Sequence, residues 1–139
     1  MGRTVLGVLA GLLAMFVVIT AVQLLGARLY PPPAGLDLHD PTALATMMAQ
    51  MPLGALAFVV LAWALGALAG GWVAARISRL HPRIAAALIG LAVVAGVLMM
   101  ILSIPHPLWM SALGVLLPVP LALAGARLAR SRSAASPSG

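Results

Sequence analysis

An all-α fold, a bundle of four transmembrane helices, is what this sequence predicts, and three observations carry it. Of its 139 residues, 63% are hydrophobic and 7% are charged, where an ordinary soluble domain runs at about 45–50% and about 25%. The mean hydropathy is +1.15. The charged residues, eight arginines and two aspartates, stand between long apolar runs instead of being scattered through them. Four of those runs are long enough, at about 1.5 Å of helical rise per residue, to cross a hydrocarbon layer of about 30 Å or nearly so.

The first span occupies residues 4–27, between Arg3 and Arg28. An arginine at the bilayer centre costs about 3 kcal/mol, so each one marks where a span stops. This run is longer than the core of a secretory signal, and Leu25-Gly26-Ala27 puts a bulky leucine where cleavage wants a small residue. The expectation is an uncleaved helix.

The outer loop, residues 28–52, has its own organisation. Tyr30 suits the membrane interface, and Pro31-Pro32-Pro33 ends the helix, because each ring fixes φ and removes a donor. Gly35 allows a turn. Asp40-Pro41 has the form of an N-cap followed by a proline at the first helical position. A short interfacial helix from Pro41 to about Met51 follows, with Met47, Met48 and Met51 turned to the membrane surface.

Pro52 opens the second span, residues 53–75, which stops at Arg76. The third covers residues 84–104, between Arg83 and the Pro105-His106-Pro107 turn. The fourth covers residues 108–126, with a kink expected at Pro118 and Pro120. Residues 1–130 thus form a single membrane domain. Residues 131–139, rich in Ser, Ala and Pro without apolar period, read as a disordered tail.

Orientation follows from the arginines, which collect on the cytoplasmic side of short loops. Arg3, Arg76, Arg79, Arg83, Arg127, Arg130 and Arg132 fall on one side and Arg28 alone on the other. Both termini are expected in the cytoplasm. Topology by itself asks for this distribution, although the inner arginines also offer a basic patch to anionic head groups or to an acidic partner. A nucleic-acid partner is not expected, because the charge is not gathered on one polar face of a soluble fold.

Small residues four apart let helices approach in a bilayer. Gly7 with Gly11, Gly66 with Gly70 beside Ala62 and Gly71, Ala86 with Gly90, and Ala92 with Gly96 form such pairs. Packing within the chain is the first expectation for them, and a homo-oligomer seam the second. Ala-Leu-Ala-Gly occurs twice, at residues 67–70 and 122–125.

Little chemistry is available to this composition. Without cysteine there is no disulfide, thiolate metal site or thiol nucleophile. No ionisable group lies within a span, so proton-coupled transport lacks its usual residue. The small four-helix multidrug exporters are similar in length and span number, but their embedded glutamate has no counterpart in a chain without glutamate. Thr20, Gln23, Ser103 and Ser111, near the outer ends of their spans, read as partners for neighbouring helices or carbonyls. Ser103 or Ser111 with His106 and Asp37 or Asp40 would share one side, but no Gly-x-Ser-x-Gly elbow occurs. Neither an enzyme nor a cofactor is expected.

One group stands out chemically. Asp37, His39, Asp40, Met47, Met51 and His106 all fall toward the outer side, with Met48, Met99, Met100 and Met110 near them. Imidazole and thioether ligands suit Cu(I), which makes these the candidate metal ligands. Each also has an ordinary role: Asp40 as cap, Asp37 as turn former, the histidines as interfacial polar groups and the methionines as adaptable filler.

The segments Tyr30-Pro31-Pro32-Pro33-Ala34-Gly35-Leu36-Asp37, Pro52-Leu53-Gly54-Ala55 and Ala62-Trp63-Ala64-Leu65-Gly66 with Gly70-Gly71 resemble a group of small uncharacterised bacterial inner-membrane proteins with four transmembrane helices. The resemblance covers the middle third of the chain. It implies the four-helix fold and a plasma-membrane address, and it transfers no catalytic residue. The functional expectation is a non-enzymatic assembly partner or accessory subunit. A small oligomeric transporter or channel is the alternative, and copper binding on the outer face is a third reading. The lipid bilayer is the expected environment, and a membrane protein partner or a second copy the expected company.

Overall fold

The computed structural model describes residues 1–135. Its helices are α1 (Gly2–Leu29), α2 (Pro41–Gln50), α3 (Leu53–Ile77), α4 (Pro82–Ser103), α5 (Leu108–Leu116) and α6 (Pro118–Ala134). Four helical rods, α1, α3, α4 and α5 continued by α6, are long and apolar enough to span a bilayer. The chain is an all-helical, multi-pass membrane protein.

Successive rods run antiparallel. α3 lies at the centre and packs on α1, α4 and α6. The reason is in its small residues, which point to more than one neighbour. Toward α1, a Cβ placed on Gly11 would sit 2.7 Å from the Gly70 carbonyl oxygen, and one on Gly70 would sit 2.8 Å from the Gly11 carbonyl oxygen. Toward α6, a Cβ on Gly71 would run into the Ala122 backbone, and one on Gly125 into the Leu68 carbonyl oxygen. Backbones this close leave no room for a side chain, and dispersion between them replaces the hydrophobic drive that lipid removes. The two Ala-Leu-Ala-Gly segments are thereby laid side by side on parallel helices.

The small-residue pairs are therefore used within the chain, with one exception. Gly90 meets the Val119 backbone of α6, but Gly96 has nothing within 4 Å. Toward the loop end larger side chains take over: Leu56, Val60, Trp63, Val93, Val97 and Met110 join Ala67 and Ala122 in the main core cluster.

The fourth rod bends where expected. Leu117 keeps right-handed helical angles, φ −78° and ψ −37°, between α5 and α6. Leu117 donates to the Leu113 carbonyl at 3.0 Å and Leu121 to the Leu117 carbonyl at 3.1 Å, so the rod continues through the break. Pro118 and Pro120 lack the N–H groups that the Gly114 and Leu116 carbonyls would otherwise receive.

Two expectations are corrected. Helix α6 continues to Ala134, so residues 131–134 are helical and not the start of a tail; residues 136–139 lie outside the described residues. Its end is held by tertiary contact, with Ala129 buried against Ala75, Ala86 and Ala126, and with Arg76 Nη1 donating to Ser133 Oγ at 3.5 Å. Met48 of α2 and Met51, just after it, turn in against the core cluster instead of out to the membrane surface.

Candidate functional site

At the loop end, the turn before α2 is built by its two aspartates. Asp37 Oδ1 accepts from the His39 backbone N–H at 2.9 Å, and Asp40 Oδ1 accepts from Thr42 N–H at 2.9 Å, satisfying an orphan donor of the first turn. Gly35, at φ +80°, supplies the reversal before them. The His39 ring lies 3.4 Å from Asp37, but its side chain is 97% exposed, so that contact is worth little.

The candidate metal ligands separate into two groups. Asp37, His39 and Asp40 stay on this exposed turn. Met47 and Met51 line a cavity of about 360 Å³ with Tyr30 and the proline run. His106 and Met51 line a second cavity, of about 270 Å³, together with Met48, Met100, Tyr30 and Phe58. Among the described residues no three His or Asp side chains come together in a metal-holding group. The ring of Tyr30 tilts on Phe58 with centroids 6.2 Å apart, which ties the end of α1 to α3 below these cavities.

His106 is the chemically distinctive member. Its Nδ1 lies 2.6 Å from the Ile104 carbonyl oxygen, a contact that requires the proton on Nδ1 and, in the neutral imidazole, leaves the lone pair on Nε2. That Nε2 is buried and has no hydrogen-bond partner among the described residues. Nothing in the residue pattern announces this, because the tautomer follows from a bend at Ile104 that only the fold defines. Met48, Met51 and Met100 line the same cavity as His106, and neither aspartate does.

Ser103 and Ser111 are occupied in their own helices, donating to the Met99 carbonyl at 2.8 Å and the Pro107 carbonyl at 3.3 Å. Neither is joined to His106 by a hydrogen bond, and the aspartates are on the exposed turn. No nucleophile, base and carboxylate are aligned among the described residues.

The opposite end of the bundle is polar in a different way. Ser78, buried after the last turn of α3, donates to Thr4 Oγ1 of α1 at 3.0 Å. Arg76 lies over the Trp72 ring at 5.4 Å, a cation-π arrangement. Around it a cavity of about 470 Å³ opens between α3, α4 and α6. Arg76, Arg79 and Arg130 line it, and a smaller one beside it, about 200 Å³, is lined by Arg83, Arg127 and again Arg130. Comparison with family models, with curated proteins and with solved structures finds no match for this chain.

Proposed function

We infer that this chain is a non-enzymatic subunit of the bacterial inner membrane, an assembly partner or accessory subunit of another membrane protein, with both termini in the cytoplasm. The observation that carries the reading is the one-sided burial of α1. Gly7, Gly11 and Gly26 are covered by the bundle, whereas Leu6, Leu9, Leu13, Phe16 and Val17 remain exposed along the helix. Support against catalysis or proton-coupled transport comes from residues 4–27, 53–75, 84–104 and 108–126, which carry no ionisable side chain.

The test is site-specific photo-cross-linking in native membranes. A photoreactive residue at Leu13 or Phe16 is expected to give a discrete protein adduct, and one at Leu102 of α4 only lipid adducts. Lipid adducts from every position, together with ion or solute flux in liposomes, would replace this reading with a small oligomeric transporter or channel. For orientation, a single cysteine at Arg79 should be shielded from a membrane-impermeant thiol reagent in intact cells.

A second reading, soft-metal binding at the loop end, is favoured by the buried lone pair of His106 beside Met48, Met51 and Met100. Those residues offer imidazole and thioether ligands, the combination that selects Cu(I). Competition against a Cu(I) chelator should show binding that His106→Ala with Met51→Leu abolishes. Failure of the unaltered protein to compete removes the reading.

A further inference from the structure

The two aspartates, the only acidic side chains in the sequence, are Asp37 and Asp40, both in the loop before α2. The arginines at the far end of the bundle therefore have no acidic side chain of their own chain to pair with. Topology accounts for their being at that end; it does not account for their converging on two adjoining cavities. The larger is lined by Arg76, Ser78, Arg79, Pro82, Arg130 and Ser133. The smaller is lined by Arg83, Arg127 and Arg130 beside Leu123 and Ala126. Arg130 belongs to both.

Three further features suit phosphate. Pro82, the first residue of α4, lines the larger cavity, and this helix of 22 residues has no side-chain cap at its N-terminus, so the positive end of its dipole lies there. Arg76 is restrained by Trp72 and Ser133, so less freedom is lost on binding. The guanidinium fork matches phosphate oxygens two at a time. Both cavities also open at the end of the membrane-spanning bundle, where lipid head groups lie, and Leu123 and Ala126 give the smaller one an apolar wall for the adjoining chain.

We propose that these two cavities bind the paired phosphate groups of one anionic lipid headgroup, a diphosphatidyl lipid, with Arg130 between the phosphates. The shared chemistry is a pair of phosphate groups a few bonds apart, which pyrophosphate also offers. The lipid source rests on the cavities' position at the membrane boundary. It does not depend on the partner reading of α1.

The experiment is native mass spectrometry of the full chain released from detergent, with thermal melting in parallel. The added probes are cardiolipin, phosphatidylglycerol, phosphatidylcholine or inorganic pyrophosphate. Cardiolipin is expected to bind in a one-to-one step and to raise the melting temperature, phosphatidylglycerol more weakly, and the other two not at all. In Arg79→Gln/Arg130→Gln the cardiolipin affinity should fall by about tenfold or more, as expected for losing charge-assisted hydrogen bonds. Arg3→Gln/Arg132→Gln removes the same charge outside both cavities and should change it by less than about twofold. Arg130→Lys keeps the charge without the fork and should remove the preference for cardiolipin over phosphatidylglycerol. Equal losses in the two double variants, or equal binding of cardiolipin and phosphatidylcholine, would overturn the proposal. Saturation by pyrophosphate with the same Arg130 dependence would assign the cavities to soluble phosphates instead, overturning the lipid source. Far-ultraviolet circular dichroism confirms that each variant keeps its helices, and a variant that loses them is replaced by Arg79→Lys/Arg130→Lys.

Discussion

Helices α1 and α3 are of similar length, and α1 is the more apolar of the two, yet 11% of its most apolar 18-residue stretch is buried in the chain against 44% for α3. In water such a contrast would run the other way. In lipid, apolar surface gains nothing by leaving its surroundings, and burial follows the closeness of backbone approach. α3 carries glycines toward α1, at Gly66 and Gly70, and toward α6, at Gly71. The glycines of α1 meet backbone only of α3, and toward α4 Gly11 reaches just the end of the Ile89 side chain. Position in the bundle is decided by how many faces of a helix are small, and hydropathy decides only that the helix spans.

The largest effect should come from breaking the double-sided packing of α3. In Gly71→Val the new side chain meets the Ala122 backbone, which cannot rotate away, and the α3–α6 contact must separate. A loss of about 3 kcal/mol is expected, the upper part of the range for overpacking, read as the shift in unfolding by steric trapping in bicelles. Gly11→Val also strikes backbone, at the Gly70 carbonyl, but α1 has lipid behind it and can retreat. About 2 kcal/mol is expected there, with α3, α4 and α6 still assembled. A chain bearing Thr4→Cys and Ser78→Cys reports the difference, since those hydroxyls lie 3.0 Å apart. Oxidation should join the two cysteines, and adding Gly11→Val should prevent it. Equal loss from both valines would mean that α1 and α3 are held alike.

Away from the helix contacts the effects should be smaller. Asp40→Ala removes the carboxylate that receives Thr42 N–H, and about 1 kcal/mol of α2 stability goes with it. Faster amide exchange over residues 42–46, with no change in α3, is the expected reading. Thr4→Val deletes the hydrogen bond from Ser78 that ties α1 to α3, for which about 0.6 kcal/mol is typical between membrane helices.

The contrast between α1 and α3 also marks what the sequence alone can disclose. The spans were legible because arginine and proline punctuate them, and the cap at Asp40 and the bend at Pro118 because each is a local, stereochemical event. Which glycines face which helix was not legible, since a small-residue pair carries no address. The helical course of residues 131–134 was hidden because Ser133 is met by Arg76 and the turn before it is anchored by Ala129 against Ala75, both partners more than fifty residues earlier. At the loop end the candidate ligands were recognisable by type but not by grouping: His106 joins Met48, Met51 and Met100 only after α2 folds back over the bundle. The arginine cavities needed three helices in register before the same Arg130 could serve both.

The one substitution expected to cost nothing is the sharpest test of the packing argument, because it concerns a glycine that the same sequence pattern singled out. Gly96 stands four residues after Ala92, as Gly70 stands four after Gly66, but a Cβ on Gly96 would find open space. Alanine there should cost nothing in packing and should gain part of the helical propensity that glycine forgoes, up to about 1 kcal/mol. Gly96→Ala is therefore expected to leave the bundle unchanged or slightly more stable in the same trapping measurement. A loss comparable to that of Gly11→Val would mean that something outside this chain approaches α4 at Gly96, and a second copy or a partner helix would then be seated on α4 instead of on α1.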